Sequence, residues 1–455
     1  MNESARPSLE SYLATKATGI VEDCTRCGDC VRVCPVVPFA GLQEAPPSAV
    51  VDGIIDVLRG GAGLTGASAT WAHQCNGCGQ CIPACPEGIN PRTMLMLTNT
   101  LDARRETATP QLFRKMSRGI RLMAAMQLLP DELARLMRPP PPRDVPVIFY
   151  LGCNAIRTPH VLFNAMYVLD ALAIDYEVLG GPAACCGIIH SKWEGEIEAG
   201  ERITDGTLDR FASYRPEKVL SWCPSCQLHL GESLASFRRV GFDFDHVTKF
   251  MVEQETALRA RFNTPVKMRV LLHTHEGMAD LGGNVARLLG AVPGLTIAGT
   301  AGETGYTCGG SGADRSPALK AAQREETLRR AREPGIDALV TLYHGCHMQL
   351  AAAGRQHGFG VLNFTDILVR ALGGTPRQDA LEALRMLGDW RDVVTQAAPH
   401  LQANGIEFEP GQLAQLLPEV FALAEFSGGL EAFASPRRGA ETSAQASSQQ
   451  DRTNG

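Results

Sequence analysis

The stretch VPVIFYLGC, residues 145–153, is a short apolar run closed by a glycine and a cysteine. It reads as a buried strand ending at Cys153. HVLFNAMYVLDALAI (160–174) then reads as a helix, and YEVLGG (176–181) as a second strand leading into AACCGIIH (183–190). KVLSWCPSC (218–226) repeats the device, with a strand at 218–222 and then Cys223 and Cys226. Strand–helix–strand alternation predicts a parallel sheet with helices on its faces. The cysteines fall where strands end, which is where open α/β sheets place ligands.

A second copy of this pattern follows. VKMRVLLHTHEG (266–277) corresponds to VPVIFYLGC, AGETGYTCGGSG (301–312) matches LGGPAACCGIIH (179–190) without a gap, and VTLYHGCHMQL (340–350) matches LSWCPSCQLHL (220–230). The fold is therefore expected to be duplicated.

The chain has 455 residues, 44% of them hydrophobic, and a net charge of −6 with no long basic run. That length suits two to four compact units, and the charge argues against nucleic acid as a partner. MNESARPSLESYLATKA lacks a secretory pattern, and about 18 uncharged apolar residues never run together. The expectation is a soluble cytoplasmic protein, membrane-associated at most through a partner. In a reducing compartment fifteen clustered cysteines point to metal more than to disulfides.

Eight of them form two similar runs, CTRCGDCVRVCP (24–35) and CNGCGQCIPACP (75–86). Both are C-x2-C-x2-C-x3-C-P, the ferredoxin-type run in which the fourth cysteine ligates the other run's cubane [4Fe–4S] cluster. One cluster is assigned to Cys24, Cys27, Cys30 and Cys85, the other to Cys75, Cys78, Cys81 and Cys34. Zinc knuckles or buried structural thiols are the alternative. Between the runs, Val50, Val51, Ile54, Ile55 and Leu58 recur at helical spacing, so the insert is expected to be a helix beside the clusters.

The other motif is C-x31-CC-x36-C-x2-C, formed by Cys153, Cys185, Cys186, Cys223 and Cys226. With the double-cluster run ahead of it, this resembles the CCG-domain family of the heterodisulfide reductase catalytic subunit. That family includes the iron–sulfur subunits of glycolate oxidase, anaerobic glycerol-3-phosphate dehydrogenase, lactate-utilization complexes and sulfite-reductase-associated membrane complexes. The resemblance covers roughly residues 20–375. It implies that the five cysteines hold a noncubane [4Fe–4S] cluster that binds and cleaves a disulfide; a four-cysteine zinc site plus one buried thiol is the plainer reading. It also implies tandem CCG lobes, hence an α/β fold: a helical ferredoxin-like double-cluster domain, two CCG lobes and a small helical extension.

The second lobe lacks three of the five thiolates. Cys153 is replaced by His275 or Glu276, Cys185 by Thr307 and Cys223 by Tyr343, while Cys308 and Cys346 remain. Three readings stay open. The site is a remnant with inert thiols; or it is a polar pocket serving the first lobe, with His275, His344 and Tyr343 binding the substrate's polar end or supplying a proton; or it holds a single metal ion on Cys308, Cys346, a histidine such as His275, and Glu276. His273, His344 and His347 lie nearby in sequence.

The expected boundaries are 1–138 for the double-cluster domain, 139–143 for a proline linker, 144–264 and 265–376 for the lobes, 377–434 for helices and 435–455 for a disordered tail. Within 102–138 a stripe of Leu112, Phe113, Met116, Ile120, Met123 and Met126 opposes Arg104, Arg105, Arg114, Lys115, Arg118 and Arg121. It reads as an amphipathic helix closing the first domain, with a membrane-surface or docking role as the alternative. Leu384, Leu387, Trp390, Val393 and Val394, and then Leu413, Leu416, Leu417, Val420 and Phe421, mark helices in the extension.

No convincing dinucleotide fingerprint is present. Two functions are expected to compete. One is a thiol–disulfide oxidoreductase subunit with its centre on the first lobe's five cysteines. The other is an electron-transfer subunit of a flavin-dependent dehydrogenase, passing electrons towards quinone. The implied partners are a flavoprotein or other redox subunit, a membrane-bound quinone or cytochrome subunit, and a sulfur-containing small molecule or carrier.

Overall fold

Proline and polar caps set the helices around the first cysteine runs. The computed structural model describes residues 8–105, 112–305 and 316–421. Its first unit contains α1 (Leu9–Asp23), α2 (Asp29–Arg32), α3 (Pro47–Leu58), α4 (Gly66–His73) and α5 (Pro91–Ala103). Both α3 and α5 begin on a proline, whose fixed φ suits a first helical position. Asn90 caps α5, its side chain accepting from the Thr93 N–H at 3.1 Å. The insert is the expected helix: Val50, Val51, Ile54, Ile55 and Leu58 of α3 are buried with Trp71, Met94, Leu95 and Leu97. Gly28, at φ +83°, starts α2 where a Cβ would lie 2.6 Å from the Pro47 Cβ. The first cysteine loop is thus seated directly on the start of α3.

The stripe within 102–138 folds differently from expectation. It divides into α6 (Leu112–Ala125) and α7 (Pro130–Met137), because Pro130 opens a new helix. Neither closes the first unit. Ile120, Ala124, Leu128 and Leu136 join the core of the following lobes, and Leu122, Met123 and Met126 pack against the C-terminal helices.

The first lobe is a four-stranded parallel sheet of β1 (Val147–Gly152), β2 (Tyr176–Gly180), β3 (Lys218–Ser221) and β4 (Asp243–His246), in the order β2-β1-β3-β4. Its helices are α8 (Pro159–Ala171), α9 (Ile197–Ser213), α10 (Pro224–Ser236), α11 (Val247–Glu253) and α12 (Glu255–Arg259). The second lobe repeats the order as β6-β5-β7-β8, with β5 (Met268–His275), β6 (Leu295–Glu303), β7 (Ala338–Thr341) and β8 (Gly360–Asn363). Its helices are α13 (Ala279–Gly290), α14 (Pro317–Ala331), α15 (His344–His357) and α16 (Phe364–Ala371). In each sheet the chain reverses its direction of travel beside the first strand, so a crevice opens at the C-terminal ends of β1 and β3, and likewise of β5 and β7.

The lobes pack reciprocally. The first helix of each lies on the helix that follows the fourth strand of the other, α8 on α16 and α13 on α11. One apolar core runs through both sheets, joining Phe149, Leu220 and Trp222 to Leu272, Val340 and Phe364. Trp222 stacks on Phe364 with centroids 5.9 Å apart, and the buried Asn164 Nδ2 donates to Asp366 Oδ1 at 2.6 Å. The extension adds α17 (Ala380–Met386), α18 (Trp390–Ala403) and α19 (Pro410–Phe421), whose Leu384, Val393, Leu401 and Leu417 cover α6. Among the described residues no helix is long and apolar enough to cross a membrane. Thr307, Cys308 and the tail from 435 lie outside the described residues.

Candidate metal centres

The crevice of the first lobe collects five cysteines from three strand ends. Cys153 follows β1, Cys185 and Cys186 follow a short turn after β2, and Cys223 and Cys226 stand at the start of α10 after β3. All five are buried. Their sulfurs form one hydrogen-bonded chain: Cys153 with Cys185, Cys185 with Cys186, Cys186 with Cys226, and Cys226 with Cys223. Cys185 accepts from both sulfur neighbours, and with the Gly187 N–H 3.4 Å away it is held well below the usual thiol range. Cys153 is pushed well up, first by its bond to Cys185 and then by burial.

Oxygen donors fix the backbone behind these sulfurs. Thr207 Oγ1 donates to the Cys185 carbonyl at 2.7 Å, and Thr204 Oγ1 to the Cys186 carbonyl at 2.9 Å. The Tyr150 hydroxyl donates to the Ala184 carbonyl at 2.8 Å, and burial keeps that phenol protonated. Gly152 has φ +71°, and a Cβ there would lie 2.9 Å from Cys226 Sγ and 3.0 Å from Cys223 Cβ. The room beside these sulfurs exists because residue 152 has no side chain. Positive charge comes from this lobe's own turn: Lys192, largely buried, interacts with Cys186, and its Nζ lies 3.8 Å from Glu232 Oε2. His190 bears on Cys185.

Five contiguous buried thiols exceed the four ligands of a zinc ion. They fit a polynuclear iron–sulfur group, whose irons take thiolate ligands.

The eight cysteines of the N-terminal runs form two groups across those runs. Burial, and then the neighbouring Cys24, Cys27 and Cys85, push Cys30 up to about 12. Burial, and then Cys75, Cys78 and Cys34, push Cys81 up to about 12. The fourth cysteine of each run therefore stands with the other run. The second group borders the first lobe, since a cavity of about 70 Å³ is lined by Cys75, Gly77 and Arg92 on one side and by Ile188 and Lys192 on the other. A groove of about 600 Å³ between α1, α5 and α10 also reaches Lys192, beside His229.

In the second lobe His275 Nε2 lies 3.0 Å from Cys346 Sγ, and the His275 ring stacks on Tyr343, with centroids 5.7 Å apart. Glu276 does not join them; it pairs with Gln80 of the first unit. Burial pulls His344 down to about 4 and leaves a neutral imidazole. Cys346 of its own lobe and Arg157 and His246 of the first lobe stand around it. His347 is engaged elsewhere, 2.8 Å from Asp379. Tyr150, His190, Lys192, Thr204, Thr207 and Glu303 were not legible as site residues, since none carries a spacing signal and each is brought in by strand register or a helix face.

Comparison with known proteins agrees with this arrangement. Residues 19–89 match the 4Fe-4S dicluster domain, and residues 147–231 and 274–351 match the cysteine-rich CCG domain. The D-subunit of the dihydromethanophenazine:CoB--CoM heterodisulfide reductase of Methanosarcina barkeri is 22% identical over 384 residues, spanning 76% of this chain and 92% of that protein. Its namesake from Methanosarcina acetivorans is 22% identical over 403 residues, spanning 78% and 94%. A probable glycolate oxidase iron-sulfur subunit of Bacillus subtilis is 25% identical over 274 residues, 47% of this chain and 59% of that one. With both domain types present in this order, and five buried thiols in the first lobe's crevice, the chain is a CCG-domain iron–sulfur oxidoreductase like the heterodisulfide reductase D-subunit.

Proposed function

We propose that this chain relays single electrons through two cubane clusters, on Cys24, Cys27, Cys30 and Cys85 and on Cys75, Cys78, Cys81 and Cys34, to a noncubane [4Fe–4S] cluster on Cys153, Cys185, Cys186, Cys223 and Cys226 that acts on a thiol- or disulfide-type sulfur substrate. The observation that carries this is the five-thiol cradle whose following loop shares a cavity wall with Cys75. Bound there, the cluster supplies one-electron chemistry beside iron able to take sulfur. The chain's own residues do the rest. Thr204 and Thr207 hold the two consecutive cysteines by their carbonyls. Burial of all five sulfurs keeps bulk water out. Lys192, whose charged form burial disfavours, stands beside Cys186 and Glu232.

Disulfide reduction takes two electrons and two protons and releases two thiols. His344, a neutral imidazole set against the first lobe, and Tyr343 are the side chains proposed to hold the substrate's polar end, whereas His275 has the Cys346 sulfur as its partner. A flavoprotein or other redox subunit supplies or removes the electrons, and a membrane-bound quinone or cytochrome subunit is the partner through which the chain reaches a membrane.

The likeness to a probable glycolate oxidase iron-sulfur subunit, with the second lobe's missing thiolates, favours one other reading: an electron-transfer subunit of a flavin-dependent dehydrogenase. The two separate in a single assay. Anaerobic full-length protein given reduced viologen and a small disulfide will release thiol, and His344→Phe and Tyr343→Phe will slow that release at least tenfold with iron content unchanged. Intact clusters that oxidise the viologen with an added acceptor but never release thiol would favour the relay.

A further inference from the structure

The two lobes differ at their strand ends in more than lost thiolates. Val147 pairs with Lys218 in the first sheet, and Val270 with Ala338 in the second. Laid over one another with β3 on β7, these registers bring Tyr150 to His273, Gly152 to His275 and Cys153 to Glu276. The ungapped match of 179–190 with 301–312 brings Gly181 to Glu303. Three positions that supply no thiolate in the first lobe thus carry metal-ligand side chains in the second. They surround Cys346, the counterpart of Cys226.

The consequence is physical. In the first lobe the bare Gly152 leaves space beside Cys226 Sγ. In the second lobe that space holds the His275 imidazole, its Nε2 3.0 Å from Cys346 Sγ. His273 is hydrogen-bonded to the same sulfur, and its Nε2 lies 3.7 Å from Glu303 Oε1. One donor atom from each of His273, His275 and Cys346 falls within 4.8 Å of the others, and all three residues are buried. Glu303 is 6% exposed. Two imidazoles, a thiol and a carboxylate are expensive to bury among apolar strands without a common charge to satisfy them. Together they offer an N2SO donor set of the kind zinc takes.

We propose that the second lobe holds one zinc ion on His273, His275 and Cys346, with Glu303 as fourth donor, in place of the cluster of the first lobe. Cys346 gives up its proton on binding. The ion ties the end of β5 to the end of β6 and to the start of α15. That is the surface on which the second cysteine run docks, for Asn76 Nδ2 donates to Thr304 Oγ1 at 2.8 Å and a Cβ on Gly277 would lie 2.8 Å from the Gly77 carbonyl.

Anaerobically purified full-length protein, dialysed against a weak chelator, should carry about one zinc per chain, with a zinc-edge absorption spectrum of one sulfur at about 2.3 Å and nitrogen or oxygen at about 2.0–2.1 Å. Cys346→Ala should lower zinc at least tenfold and leave iron unchanged. His160→Ala, in the separate buried group His160, His347 and Asp379, should keep it. Wild-type protein without zinc, or a zinc spectrum with no sulfur or with four, would overturn the proposal, and so would zinc lost on His160→Ala but kept on Cys346→Ala. Should Cys346→Ala fail to fold, the wild-type spectrum decides alone.

Discussion

Cys186→Ser is expected to remove one cluster and spare two, lowering iron from about 12 to about 8 atoms per chain and taking thiol release to background. Cys186 is the link between the two halves of the sulfur chain, bonded to Cys185 on one side and to Cys226 on the other. Serine puts a poorly ionising oxygen at that centre, in a place where burial already works against the charged form. The N-terminal cysteines sit on a different core, built on α3, α4 and α5, so their reduced-state paramagnetic signals should persist. Cys27→Ser, at an exposed cysteine of the first run, should do the reverse and weaken the N-terminal signals while the first lobe keeps its iron. Electron paramagnetic resonance on both variants checks this. Loss of every signal in both would mean that the clusters are not housed independently.

Gly152→Ala is expected to empty the first lobe with all five cysteines still present. The residue sits at φ +71°, where a side chain is strained, and the new methyl would meet Cys226 Sγ at 2.9 Å and Cys223 Cβ at 3.0 Å. Backbone strain of this kind costs about 1–3 kcal/mol. The larger effect is that Cys223 and Cys226 must move, so about four iron atoms per chain should be lost and the melting temperature should fall. Gly206→Ala is the control. It lies inside α9 with open space around the added methyl, and it should keep full iron and gain up to about 1 kcal/mol from the better helix former. A Gly152→Ala protein with full iron would show that the cradle does not depend on that gap.

Much of the architecture is readable in the residues alone. Val147–Leu151 could only be a buried strand, and Val50, Val51, Ile54, Ile55 and Leu58 could only share one helical face; periodicity reports local geometry. The cysteine runs carry their pairing in their spacing, because a cluster constrains the intervals between its ligands. What a helical stripe does not carry is the identity of its partner. The apolar face of α6 fits a first-domain lid as well as it fits the groove between the first lobe and α17–α19, and only packing decides for the groove. His273 and Glu303 are hidden for a related reason. They lie 73 and 43 residues before Cys346 along the chain, and only the parallel register of β5 between β6 and β7 brings them to one strand-end crevice. His344 misleads because the near-neutral titration of a histidine belongs to a solvated ring, and this ring is buried.

The central claim is that the first lobe's five cysteines hold a four-iron cluster in addition to the two of the N-terminal unit. Iron and acid-labile sulfide counted on anaerobically isolated wild-type protein test it most directly. Three clusters predict about 12 iron and about 12 sulfide per chain; a fully reconstituted protein that saturates at about 8 of each would contradict the account.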